Sequence, residues 1–286
     1  MPIGKFLDPK TDIAFKRIFG SEKNKDILID FLNDVLQKSG DSWIEDLEYL
    51  PTIQDPTIAI LKTSVVDILC REKSGVKYII EMQVTKTIGF EKRAQMYAAR
   101  AYCNQLNKGD KYETLKEVIF LALADHIMFP NKEAYRSDHV ILDRETLEND
   151  LKGFSFTFIE LPKFKKTLAE CISGMEKWFY FLIHADESNG QDVPLYNDPM
   201  IAKAYQELNA VYWTEAELNT YDESQMQIMN ARAALDYAIR EGREEGREEG
   251  LEEGRLEMAK IMLEAGVSVD LIVEKTGLSK EQLLQK

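Results

Sequence analysis

Residues 65–83, VVDILCREKSGVKYIIEMQ, constrain the fold more than any other stretch of the chain. Two runs rich in Val, Ile and Tyr flank a Ser-Gly pair, which is the pattern of a β-hairpin. Each run also carries an acid, Asp67 or Glu81, where a buried strand ordinarily places an aliphatic residue. Residues directly opposite each other in an antiparallel pair project to the same face, so the length of the turn decides where these acids go. A two-residue turn at Ser74-Gly75 sets Lys73 against Val76 and Asp67 against Met82, and sends Glu81 to the other face. A three-residue turn, Lys73-Ser74-Gly75 with Gly75 left-handed, sets Glu72 against Val76 and Asp67 against Glu81. Both carboxylates and Gln83 then share one face. The sequence admits either register.

If the acids do meet, the chemistry narrows. Two ionised carboxylates about 5 Å apart raise each other's pKa, so an apolar hairpin that holds them together needs a compensating cation. Mg²⁺ prefers oxygen ligands, keeps several waters and usually takes one or two protein carboxylates, which leaves room for a substrate phosphate. That chemistry suits phosphodiester hydrolysis. The plainer alternative is a pair of solvated acids on an open sheet face. Softer metals are not suggested. His126, His139 and His184 show no HExxH or paired spacing, and Cys70, Cys103 and Cys171 are far apart and odd in number. All three cysteines lie in apolar patterns and read as reduced core or near-core residues.

The rest of the chain is read around the hairpin. DPKTDIAFKRIFGSEKNKDILIDFLNDVL has apolar residues at steps of three and four with a break at Gly20-Ser21, which predicts two helices. FEKRAQMYAARAYCNQLNKG predicts a helix of about five turns ended by Gly109. EVIFLALAD, DHVILD and FSFTFIELP read as further strands. Residues 1–165 therefore form a mixed α/β domain. Residues 166–240 read as a helical region, with Trp178, Phe179, Phe181, Leu182, Val211, Tyr212 and Trp213 on its apolar faces and the loop HADESNGQDVPLYNDP dividing it. Residues 241–256 form a helical tether rich in Gly, Glu and Arg. Glycines at 242, 246, 250 and 254 weaken its helix by about 1 kcal/mol each, and pairs such as Glu244–Arg247 recover about 0.2–0.5. Residues 257–286 form a small helical tail whose turn spacing resembles the start of a helix-turn-helix, with Lys280 and Lys286 the basic residues of its last helix.

The net charge of −14 argues against a nucleic-acid partner until it is divided. Residues 1–165 hold 24 Lys and Arg against 26 Asp and Glu, whereas residues 166–286 hold 12 against 24. The acidity belongs to the C-terminal part. No apolar run approaches the roughly 18 residues of a bilayer span and the N-terminus lacks the apolar centre of a secretory signal, so the expected address is the cytoplasm, with no membrane partner.

Four stretches, DPKTDIAFKRIFG, DILCREKSGVKYIIEMQ, RAQMYAARAYCNQLNKGDKYETLKEVIFLAL and FTFIELPKF, together resemble the Rpn family of recombination-promoting nucleases and putative transposases, in the PD-(D/E)XK nuclease superfamily. The similarity covers roughly residues 5–165, and the Gly-Arg-Glu tether with its helical tail is similar to C-termini common in that family. The resemblance implies a restriction-endonuclease-like core, a central mixed β-sheet flanked by helices, and metal-dependent cleavage of DNA using Mg²⁺ (or Mn²⁺/Ca²⁺). It implies Asp67 and Glu81 as metal ligands, with the Met82 backbone carbonyl a further one. Gln83 stands where the superfamily most often has lysine and matches the ExQ form of Rpn-like sequences. An amide carries no charge and transfers no proton, so its implied role is to orient water or bond a phosphate oxygen. Asp12 and Lys16, one helical turn apart, are candidates to support the metal site, with a surface ion pair as the alternative. Arg93 and Tyr97 are candidates to reach phosphate and base, with core packing the alternative for Tyr97. The alternative function is a catalytically silent DNA-binding or protein-assembly module on the same fold, and strand transfer by a transposase would use the same metal chemistry. The C-terminal helical region is a candidate homo-oligomer contact.

Overall fold

The computed structural model describes residues 6–54, 64–188, 195 and 197–284. Part of the expected HADESNGQDVPLYNDP loop, and Lys286, lie outside these residues. Chain contacts divide into two units, Met1–Ile228 and Met229–Lys286.

The first unit opens with α1 (Asp12–Phe19) and α2 (Lys25–Val35), the two helices predicted from apolar spacing. Ala14, Phe15, Ile18 and Phe19 are buried on α1, and Ile27, Leu28, Phe31, Leu32 and Val35 on α2. Strands β1 (Leu47–Tyr49), β2 (Ile53–Gln54), β3 (Ser64–Val65), β4 (Ile68–Glu72) and β5 (Lys77–Gln83) follow, then α3 (Phe90–Cys103), β6 (Val118–Ala124), β7 (Arg136–Val140) and β8 (Phe154–Glu160). Six strands make one sheet in the order β1-β4-β5-β6-β8-β7. Its centre, β5-β6-β8, is parallel, and both flanks are antiparallel. β6, read from VIFLALA, is buried at every position, as a strand between parallel neighbours under two helical layers must be. This is the mixed sheet flanked by helices that was expected.

One face of the sheet packs on α1, α2, α4 (Gly174–His184) and α5 (Pro199–Leu208). The stack Phe19–Phe31–Trp178–Phe181 joins α1, α2 and α4, with ring centroids 4.6, 5.5 and 5.7 Å apart along it. Residues after 165 are thus continuous with the core of the residues before it. Val211 and Tyr212, expected on an apolar face, are 80% and 65% exposed in a short 3₁₀ turn, and only Trp213 is buried. Cys103, expected in or near the core, is exposed in the last turn of α3, which ends there instead of running on to Gly109. The Gln105 side chain ends that helix by accepting from the Lys116 N–H and donating to its carbonyl.

Asp34, on α2 with its carboxyl against Gly174 at the start of α4, is pushed up to about 6 by burial and by the charges of Asp30 and Asp198. A carboxyl whose folded pKa exceeds its unfolded value favours folding below that value and loses the contribution as pH rises through the folded one. Asp34→Asn is therefore expected to raise the melting temperature at pH 8 and leave it little changed near pH 4. Thermal melts at both pH values check this, and a lower melting temperature at pH 8 contradicts it.

Helix α6 (Glu215–Glu264) carries the chain from the first unit into the second, unbroken through all four glycines of the tether, where Arg247 pairs with Glu244 at 2.6 Å. In the second unit, α7 (Val269–Thr276) and α8 (Lys280–Leu284) bury Ile272 and Leu278 with Ala259 of α6. Lys280 is engaged with Asp270 at 2.6 Å. No described helix is long and apolar enough to cross a membrane.

Candidate active site

Gly75 settles the register. Its φ of +96° places it in the left-handed region, Glu72 N–H donates to the Val76 carbonyl at 3.0 Å, and the turn holds three residues. A Cβ at Gly75 would fall 2.9 Å from Cγ of Lys116, a second reason for glycine here. The ladder sets Ile68 against Ile80 and Leu69 against Ile79, which continues to Asp67 opposite Glu81. Asp67 lies in the bend just before β4, and Glu81 lies on β5 beside Ala122 of β6, a small residue that leaves the carboxylate room.

Backbone hydrogen bonds tie the two acids to each other's strand. The Asp67 N–H donates to Glu81 Oε1 at 3.1 Å, and the Met82 N–H donates to Asp67 Oδ2 at 2.8 Å. Gln83 Nε2 lies 3.3 Å from Glu81 Oε2 and 3.5 Å from the Met82 carbonyl. Glu81 is only 4% exposed. Burial, and then the charge of Asp67, push its carboxyl up to about 8. Burial also raises Asp67, against the Met82 N–H and the charge of Lys16. The site thus holds two desolvated carboxyls and a carbonyl, and among the described residues no Lys or Arg is hydrogen-bonded to either acid. An all-oxygen donor set whose acids resist ionising on their own fits a hard divalent cation. Asp67, Glu81 and the Met82 carbonyl are the residues that could hold it. Among the described residues no group of three or more His, Cys, Asp or Glu is placed to bind a metal, so the described side chains offer the Asp67–Glu81 pair alone.

The other candidates gather near these acids in differing ways. Asp12 and Lys16 form an ion pair at 2.7 Å with both side chains substantially exposed. Their charges still act on Asp67, Lys16 favouring its ionised form and Asp12 opposing it. Helix α3 approaches the sheet through Ala94, Ala98 and Ala101, all buried, and this close packing brings Arg93 and Tyr97 to the acids. Tyr97 is half-buried among the apolar residues under α3, and burial raises its phenol. Arg93 Nη2 donates to Gln83 Oε1 at 2.8 Å, while its Nε is buried without a partner. An unpaired buried donor costs about 1–3 kcal/mol, which marks the site as one not arranged for stability alone.

Sequence reasoning missed His126, just past β6. Burial lowers its imidazole, and the Gln83 carbonyl beside it acts in the opposite sense. No spacing in the sequence signals that contact, which arises only because β5 and β6 end side by side.

A six-stranded mixed sheet between helical layers, with paired acids on one face, defines an α/β protein of the PD-(D/E)XK nuclease type. The family model of PD-(D/E)XK nuclease family transposases matches residues 9–238, and the chain belongs to that family. No curated protein and no solved structure matches.

Proposed function

We propose that the protein is a Mg²⁺-dependent DNA endonuclease that hydrolyses phosphodiester bonds, with a link to recombination or transposition. The observation that carries the reading is the pairing of Asp67 with buried Glu81 in one register, beside a hydrogen-bonded Gln83. Family membership supports it. When bound, a divalent cation lowers the pKa of its water and stabilises charge developing on phosphorus. Asp67, Glu81 and the Met82 carbonyl would hold that cation through oxygen. Glu81 must first give up the proton that burial helps it keep. Gln83 presents its amide N–H groups to the attacking water or to a phosphate oxygen, a donor role that needs no charge. The near-balanced charge of residues 1–165 is compatible with DNA approaching this face.

Supercoiled plasmid tests the reading. Nicking is expected with Mg²⁺ and is expected to disappear with a chelator. No nicking with Mg²⁺, Mn²⁺ or Ca²⁺ would overturn hydrolysis and favour a silent assembly module.

A further inference from the structure

We infer that Arg93 is the positioning residue for Gln83, fixing which end of its amide faces the acids. The two ends of a glutamine amide are nearly the same shape, and they differ in that one accepts and the other donates. A guanidinium has only donors, so the Gln83 atom 2.8 Å from Arg93 Nη2 must be the oxygen. The NH₂ group must then turn towards Glu81 Oε2 and the Met82 carbonyl, 3.3 and 3.5 Å away.

Arg93 is itself held for this task. Its Cζ lies 5.0 Å from the centre of the Phe90 ring and 6.0 Å from that of Tyr97, so the planar group is supported by aromatic neighbours on α3. Without it, the amide is free to rotate and turn its oxygen towards the carboxylate of Glu81 and any phosphate drawn to the site. Arg93 keeps Gln83 a donor where an anion arrives. This differs from a direct phosphate contact, which would leave Gln83 unconstrained and spend the guanidinium on DNA. The kinetic consequence rests on the nuclease reading, whereas the orientation of the amide does not.

The test is a double-mutant cycle of Arg93→Met and Gln83→Ala, with Arg93→Leu as a second variant if the first fails to fold. In the wild-type background Arg93→Met is expected to lower kcat for plasmid nicking about 10²-fold with KM unchanged. In the Gln83→Ala background the same change should cost less than about twofold. An equal loss in both backgrounds, or a raised KM with a shallower salt dependence, overturns the inference in favour of direct phosphate contact. If the wild type does not nick DNA, the nuclease reading fails, and side-chain amide NMR of metal-free protein decides the inference alone. One Gln83 NH₂ pair shifted away from that of a free glutamine amide in wild type, moved to the free position in Arg93→Met and retained in Arg93→Lys, supports it. A pair unchanged in Arg93→Met overturns it.

Discussion

Asp67→Ala is expected to abolish plasmid nicking in Mg²⁺ while leaving the melting temperature in place. The substitution removes one of the two side-chain oxygen donors of the site. Metal stabilisation of a phosphoryl transition state is worth several kcal/mol, and each 1.36 kcal/mol is tenfold, so the rate should fall by at least about 10³. Stability responds differently because two effects oppose. The Met82 N–H loses its acceptor, a loss of about 1–3 kcal/mol. Against this, a desolvated carboxyl leaves the vicinity of Glu81, whose own carboxyl that charge helped to raise. A nicking assay beside a thermal melt separates the two consequences. Full activity in the variant would remove Asp67 from the chemistry, and a melting temperature lower by many degrees would make it a structural residue.

The register that places these acids together was legible up to one choice. Alternation and β-branched content located both strands, and antiparallel geometry reduced the outcome to two turns. The choice between them depended on Gly75, because only a residue able to take φ of +96° allows the three-residue turn. Sequence alone does not show that this freedom is used. The packing of Lys116 against the turn, from a segment 41 residues on, is part of what fixes it. The order of the longer elements of the core was legible for a similar reason, since each followed from a local period, whereas the two-residue strands β2 and β3 carry none.

Boundaries and contacts across the fold were less legible. Gly109 read as the end of α3, yet the helix ends at Cys103 because Gln105 bonds backbone groups of Lys116, a pairing 11 residues away. Val211 and Tyr212 read as apolar-face residues, but a 3₁₀ turn breaks the helical spacing that the reading assumed. In the site, the acids could be found by asking what is odd about a strand. The hydrogen bond from Arg93 to Gln83 could not, because it depends on how closely α3 settles on the sheet. Ala94, Ala98 and Ala101 set that distance, and their small side chains are the one trace of it in the sequence.

Glu81→Gln is expected to remove most of the loss of stability at high pH and to remove the response to metal. In metal-free protein the Glu81 carboxyl is pushed up to about 8 by burial and by Asp67, from 4.5. Its folded pKa lies above its unfolded one, so its favourable contribution is complete below 4.5 and is lost as pH rises through about 8. That loss is expected to be large enough by pH 9 to lower the melting temperature by several degrees. Glutamine keeps an acceptor for the Asp67 N–H and never ionises, so the variant should melt higher than wild type at pH 9 and nearly together with it at pH 5. Mg²⁺ should restore the wild type selectively at high pH, because the cation competes with the proton for the same oxygens. The variant should show little such gain. Melts at pH 5 and pH 9, with and without Mg²⁺, give all four values. An equal Mg²⁺ shift in wild type and Glu81→Gln would place the cation elsewhere, and a wild type that grows more stable towards pH 9 without metal would mean that the acids are solvated after all.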